Sequence, residues 1–382
     1  MRTPNTRRRT KPSGRPGGAS SCDSCAAGRG IRSPVPLPGW ESRPYLGLVT
    51  WFWWVAGIVA AIGLLWVLLW ASYRRWLKAV TERASRDSWI VSTPLGRVEY
   101  SQRGDGPVVL HFHGGSVGHN GWFFLEHLVR AGYRVLTPDR PGYLGTPIKN
   151  GGSPEQQADL AAALLDVLRI DRVAVVGVSA GGPAAIQFAA RHPDRTTALV
   201  LLSAVSQRTE LSEDQLDSPL GRLVMTRRFQ NVASFLINRA MHLMPALSMR
   251  DFVKTSTTYD PETGKKLIDE VLRDPAQRRE VLAMMDAMVP ALPRFDGLMN
   301  DVRVQQELGE LPFSSVRAPA LIVGSRDGDI GFANSVNAEE KLPRSELIAV
   351  DQFGHLIWWG DPAVRRDFEA RIESFLAERH RR

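Results

Sequence analysis

The sequence predicts an α/β protein: a mostly parallel sheet flanked by helices, with a helical insertion late in the chain and one apolar helix ahead of the sheet. Three observations carry this expectation. From residue 89 onward, short β-branched runs alternate with amphipathic stretches, the pattern of strands joined by helical crossovers. Between the runs ending near Leu202 and beginning near Ala320 lie more than 110 residues that read mainly as helix, far more than one crossover needs. Ahead of all this, Leu46 to Tyr73 is a run of 28 residues without a charge.

Residues 1–45 are rich in Arg, Ser, Gly and Pro and poor in aliphatic side chains, so they cannot bury enough surface to offset ordering entropy. A disordered basic tail is expected there. It holds the only two cysteines, Cys22 and Cys25, which leaves no disulfide framework for the rest of the chain and no partner ligands for a metal. Residues 46–73 exceed the roughly 20 residues needed to cross a hydrocarbon core and read as a single-pass transmembrane helix. Trp51, Trp53 and Trp54 cluster near one end and Trp66, Trp70 and Trp76 near the other, where indoles favour the headgroup layer. The apolar run is too long for the core of a cleaved signal, and no small-x-small site precedes Arg74, Arg75 and Lys78, so an uncleaved anchor is expected. Its orientation stays open: the dense C-terminal flank votes for a cytoplasmic enzyme and the distal Arg7, Arg8 and Arg9 vote against it. Residues 74–88 are expected to form a juxtamembrane linker.

Charge supports the same division. Residues 1–90 hold 14 Lys/Arg against 4 Asp/Glu, leaving 34 against 36 for residues 91–382. The basicity therefore belongs to the N-terminal region, and its position around an apolar segment points to a membrane surface rather than to nucleic acid.

Within residues 89–382, Trp89–Ser92 and Arg97–Gln102 read as an antiparallel hairpin turned by Pro94 and Gly96. Buried strands follow at Val108–His111, Arg134–Thr137, Val173–Val176, Ala198–Leu202, Ala320–Val323 and Glu346–Val350. Helices are expected at Pro154–Leu168, Pro183–Ala190 and Pro362–Leu376. The insertion, about 207–315, is a candidate cap. Its apolar residues, among them Leu223, Val224, Met225, Phe235, Met241 and Met285, suit either an adaptable pocket or plain helix packing.

The chemistry starts at Gly177-Val178-Ser179-Ala180-Gly181-Gly182, between a strand and a helix. Small residues at Gly177 and Gly181 let the serine occupy a sharp turn close to neighbouring backbone, and the helix N-terminus favours developing negative charge there. Three further signals fall in order. His111-Phe112-His113-Gly114-Gly115-Ser116 ends an earlier strand, so that Gly115 and Ala180 are expected to supply two oxyanion N–H donors, with His113 bracing the loop. Gly324-Ser325-Arg326-Asp327-Gly328-Asp329 follows the penultimate strand; Asp327 is taken as the acid and Asp329 as the runner-up. His355, after the last strand, is the expected base for Ser179.

On these motifs residues 90–378 resemble the α/β-hydrolase superfamily, and Pro138-Asp139-Arg140-Pro141-Gly142-Tyr143 is similar to a loop of its capped members, although Leu144-Gly145-Thr146 departs from the usual ending. The resemblance implies an eight-stranded sheet, no organic cofactor and no catalytic metal. Because the elbow holds Ser179, families with an aspartate nucleophile match poorly. The expected activity is a Ser-His-Asp serine hydrolase, membrane-anchored, acting on a small-molecule carboxylic ester with a hydrophobic acyl or alcohol part. A proline-iminopeptidase-like aminopeptidase and a non-catalytic membrane-bound binding protein are the alternatives.

Overall fold

The computed structural model describes residues 44–209, 226–329 and 331–380. Most of the expected basic tail, with Cys22 and Cys25, and the insertion residues Leu223, Val224 and Met225 lie outside the described residues. The contacts divide the chain into two units, Met1–Leu64 and Leu65–Arg382.

Helix α1 runs from Pro44 to Ala84. In the first unit it presents exposed apolar side chains, including Trp51, Trp53, Trp54 and Ile58. Val49–Ala84 is long and apolar enough to cross a membrane, with mean hydropathy 2.3 over its most apolar window. The helix does not stop at Tyr73, where a linker was expected. Trp76 and Val80 are buried against Val289, and the Trp76 Nε1–H donates to Asn238 Oδ1 at 3.0 Å, so tertiary packing holds this end helical.

In the second unit the strands are β1 (Trp89–Thr93), β2 (Gly96–Arg103), β3 (Val108–Phe112), β4 (Arg134–Pro138), β5 (Val173–Val178), β6 (Thr196–Leu202), β7 (Ala320–Ser325) and β8 (Ser345–Val350). They form one eight-stranded sheet in the order β1-β2-β4-β3-β5-β6-β7-β8. β2 pairs antiparallel with β1 and β4, and every other pair is parallel. Each expected strand forms, a residue or two longer than its apolar run at most ends.

The central strands are buried on both faces, which is why they read as continuous apolar runs instead of alternating ones. Along β6, Ala198, Val200 and Leu202 belong to one core cluster and Leu199 and Leu201 to the other. The second cluster is closed by α3 (Pro154–Val167) and α4 (Gly182–Arg191), through Leu160, Leu164, Ile186 and Phe188. Helix α3 starts where the sequence places it: Ser153 and Gln156 form a reciprocal capping box ahead of Pro154. The first cluster is closed by α11 (Pro362–His380), through Phe368 and Ile372, and by the insertion. Two short helices complete this framework, α2 (Glu126–Arg130) and α10 (Phe332–Lys341).

Between β6 and β7 stand α5 (Gln230–Leu243), α6 (Pro245–Ser256), α7 (Pro261–Arg273), α8 (Pro275–Ala287) and α9 (Phe295–Glu307). This is the helical cap. Asp260 and Asp274 cap α7 and α8 by accepting backbone N–H groups, and proline follows each at the first helical position. Val281, Met284 and Met241 pack into the core, and Met241, with Met285 and Met288 packed against that core, also lines a cavity of about 190 Å³.

Candidate active site

The carboxyl edge of the parallel sheet collects the expected residues, because successive parallel strands all end on that side. Ser179 follows β5 with φ of 49°, a left-handed conformation that non-glycine side chains rarely adopt. Packing enforces it. A Cβ at Gly181 would stand 2.1 Å from the Phe112 carbonyl oxygen of β3, and one at Gly182 would stand 2.3 Å from the Val205 carbonyl oxygen. The glycines thus let the turn sink between neighbouring strand ends while Ser179 stays partly accessible.

His355 arrives from the loop after β8. Its Nε2 stands 2.9 Å from Ser179 Oγ, and its Nδ1 stands 3.4 Å from Asp329 Oδ1, within ion-pair range. Asp329, not Asp327, is therefore the carboxylate beside the histidine. The Asp327 carboxylate instead accepts a hydrogen bond from Tyr259 Oη at 2.8 Å and is exposed. Gly328 separates the two with φ of +71°, and a Cβ there would meet the Tyr259 ring at 2.4 Å. The left-handed glycine, pressed under a cap tyrosine, turns the flanking aspartates toward different neighbours. Asp329 Oδ1 also accepts the Gly331 N–H at 2.7 Å, and Oδ2 is buried with no hydrogen-bond partner among the described residues.

The loop after β3 lies against the elbow: a Cβ at Gly114 would be 3.4 Å from Ser179 Cβ. His113 braces this loop. Its Nδ1 pairs with the Gly114 carbonyl at 2.8 Å, and its Nε2 accepts the Arg140 backbone N–H at 3.0 Å. Burial, and the Arg140 charge beside it, hold His113 well below the usual histidine range, so it is neutral. Burial first, then Arg140, likewise depress His111 to about 3.

Sequence reasoning missed what holds the loop. The buried Arg140 guanidinium donates to the His113 carbonyl at 2.9 Å and reaches the Gly114 carbonyl at 3.3 Å. It also grips Asp301 of α9 through two hydrogen bonds of 2.6 and 2.7 Å. Tyr143 donates to the same Asp301 carboxylate at 2.5 Å. One cap aspartate thereby ties the cap to the loop beside Ser179. The Pro138–Tyr143 segment carried the only sequence signal for this, and nothing in it named Asp301.

A second buried group joins Glu99, His119 and Asp139, whose candidate ligand atoms lie within 4.8 Å of one another. The oxygens are already engaged: Asp139 accepts the His119 N–H and faces His119 Nδ1, while Glu99 accepts from Ser88 Oγ and the Gly145 N–H. The charge of buried Arg294 reaches both carboxylates, so this donor set is a hydrogen-bonded brace and not an open cation site.

Residues 107–362 match the family model described as alpha/beta hydrolase fold. The chain belongs to that family. The alpha/beta hydrolase resembles the uncharacterized hydrolase YcgS of Bacillus subtilis (strain 168), 29% identical over 270 residues, covering 70% of this chain and 92% of the relative. It is also similar to the 2-hydroxy-6-oxononadienedioate/2-hydroxy-6-oxononatrienedioate hydrolase of Burkholderia vietnamiensis (strain G4 / LMG 22486), 26% identical over 281 residues, covering 69% and 86%. Among solved structures, an alpha/beta hydrolase fold protein from Nakamurella multipartita is 30% identical with a TM-score of 0.63, covering 75% of this chain and 98% of that one. This alpha/beta hydrolase is thus a hydrolase by family.

Proposed function

We propose that the protein is a membrane-anchored serine hydrolase that cleaves a carboxylic ester through an acyl-enzyme. The 2.9 Å approach of His355 Nε2 to Ser179 Oγ carries this reading. His355 takes the hydroxyl proton as Oγ attacks the acyl carbonyl carbon. The tetrahedral intermediate then collapses: the carbon–alkoxy bond breaks and His355 returns the proton to the leaving alcohol. Water, deprotonated by His355, repeats the sequence on the acyl-enzyme and releases the acid. Asp329 orients the imidazole and stabilises its cation. The N–H groups of Gly115 and Ala180 serve the oxyanion, each worth about 3–4 kcal/mol of barrier. The exposed apolar helix supports anchoring, and the apolar cavity under the cap, next to Ser116, supports a hydrophobic acyl or alcohol part.

Covalent labelling of Ser179 by a fluorophosphonate, lost in Ser179→Ala, tests the nucleophile. A series of p-nitrophenyl esters of rising acyl length tests the substrate class, and an unlabelled Ser179 with no ester turnover ends the proposal.

The relatives named as 2-hydroxy-6-oxononadienedioate/2-hydroxy-6-oxononatrienedioate hydrolases favour a second reading, hydrolysis of such a hydroxy-oxo-dicarboxylate by the same residues. Turnover of the compound in that relative's name, with esters untouched, would select it.

A further inference from the structure

Helix α5 of the cap is amphipathic the wrong way round for a protein bathed only in water. Its inner side, with Ser234, Asn238 and Met241 buried, carries polar groups, whereas Val232, Leu236 and Leu243, with Phe229 at the N-cap, form an exposed outer stripe at spacings of three, four and seven residues. These four are 47%, 41%, 61% and 78% exposed, and Met244 and Leu247 continue the apolar surface onto α6. Single exposed apolar side chains need no explanation, but a contiguous stripe does.

Two further observations say what covers it. First, α5 packs against the part of α1 that belongs to the same unit. Phe235 meets the rings of Tyr73 and Trp76 at centroid distances of 5.7 and 5.3 Å, and α1 then continues through exposed Trp70, Leu69 and Leu68 into its apolar run. Second, the charges at this junction are basic: Arg74 and Arg75 are exposed, Arg74 lies over Trp70, and Arg239 of α5 lies over Phe235. Exposed apolar residues beside indoles and cations match the boundary between lipid headgroups and acyl chains, where anionic lipid attracts Lys and Arg.

We propose that the outer face of α5 and the start of α6 are a second membrane contact, seated in the interfacial layer of the bilayer that carries α1. This rests on the anchored reading of the chain. It also assigns a route for substrate. The cavity behind α5 is lined by Met241, Met285, Met288 and Val289, it touches Ser116 beside the oxyanion loop, and its one exposed lining residue is Ile237 of α5. An apolar ester dissolved in the membrane therefore reaches the cavity past Ile237 without crossing bulk water.

The test uses the full chain with Cys22→Ser and Cys25→Ser, reconstituted in phosphatidylcholine/phosphatidylglycerol vesicles. A polarity-sensitive NBD dye is placed through Leu236→Cys, Leu243→Cys or, as the distant control, Glu340→Cys at an exposed position of α10. The dye at 236 and 243 should emit to the blue of the dye at 340 and be quenched by lipids carrying a doxyl group near the headgroup. Retention of the chain after carbonate washing is scored on the same vesicles. Retained protein whose dye at 236 is as wet as at 340 overturns the second contact and leaves the anchor standing; protein that washes off overturns both. A dry dye that doxyl lipid does not quench assigns the face to a second protein surface and also overturns the proposal. In a second arm, Leu236→Glu with Leu243→Glu should lower kcat/KM about tenfold for a long-chain ester held in the vesicles, corresponding to ~1.4 kcal/mol. Turnover of a short water-soluble ester should stay unchanged, and equal effects on both esters would overturn the proposed route.

Discussion

His355 stands between Ser179 and Asp329, with Nε2 2.9 Å from the hydroxyl and Nδ1 3.4 Å from the carboxylate. Asp327, two residues away, is engaged by Tyr259. The two aspartates therefore predict different phenotypes. Asp329→Asn should lower kcat by roughly 10³–10⁴-fold, the cost of losing the carboxylate that orients the imidazole. Asp327→Asn removes a charge but keeps an amide oxygen and the backbone carbonyl that can accept from Tyr259 Oη, so it should leave kcat within roughly fivefold. Steady-state kinetics of both variants decide it, and the reverse order would return the role to Asp327.

Arg140 and Asp301 make a second prediction. Their side chains are 2% and 4% exposed, so removing one partner strands the other as a buried charge. Either Arg140→Met or Asp301→Leu should cost about 3–5 kcal/mol in urea unfolding, while the double variant should cost less than the sum of the two. Because the same guanidinium holds the His113 and Gly114 carbonyls, single variants that still fold should also lose kcat. Strict additivity in the double variant would show that the pair is not coupled.

Gly181→Ala tests the elbow. The added carbon would sit 2.1 Å from the Phe112 carbonyl oxygen, and backbone has no rotamer with which to step aside. The turn must shift, and a displacement of about 1 Å at Ser179 is enough to cost ~10²-fold in rate. The variant should fold, with Tm lowered, yet label far more slowly with fluorophosphonate. Labelling at the wild-type rate would show that the glycine is not required by this contact.

Much of this was legible in the sequence because it is local. Continuous apolar runs mark strands buried on both faces, and the elbow's glycines mark a close backbone approach that the structure places at Phe112. The structure places Asp329 rather than Asp327 beside His355 for a nonlocal reason: the choice between them turns on the left-handed Gly328 and on Tyr259, a cap residue 68 positions earlier than Asp327. Asp301 was invisible for the same reason, since its partners Arg140 and Tyr143 come from the far side of the insertion. The helix α1 overran its expected end because Trp76 and Val80 find partners in the cap that no local propensity encodes.

The last prediction concerns acid. His111 and His127 are both depressed to about 3, His111 by burial and then Arg140, His127 by burial and then Arg365 and Arg130. His113 is held well below its ordinary value. A group whose folded pKa is depressed contributes stability that is present above the unfolded pKa of about 6.5 and is lost as pH falls below it, because the unfolded chain takes the proton first. Held near 3, His111 and His127 each remove about 2 kcal/mol by pH 5, and His113 acts in the same direction. His119 and Asp139 act the other way. Burial opposes protonation of His119, but the Asp139 charge and hydrogen bond more than offset it; burial raises Asp139 against the pull of His119. Both raised groups favour the folded state as pH falls, as does Glu373, raised by burial and the neighbouring Glu369 charge, and together they offset part of the histidine loss. Urea unfolding at pH 7, 6 and 5 should show net loss of stability on acidification. His127→Gln isolates one contribution, since both its ring nitrogens lack a hydrogen-bond partner among the described residues. That variant should lose about 2 kcal/mol less than wild type between pH 7 and pH 5. Parallel losses in the two proteins would mean that His127 takes up its proton in the folded state.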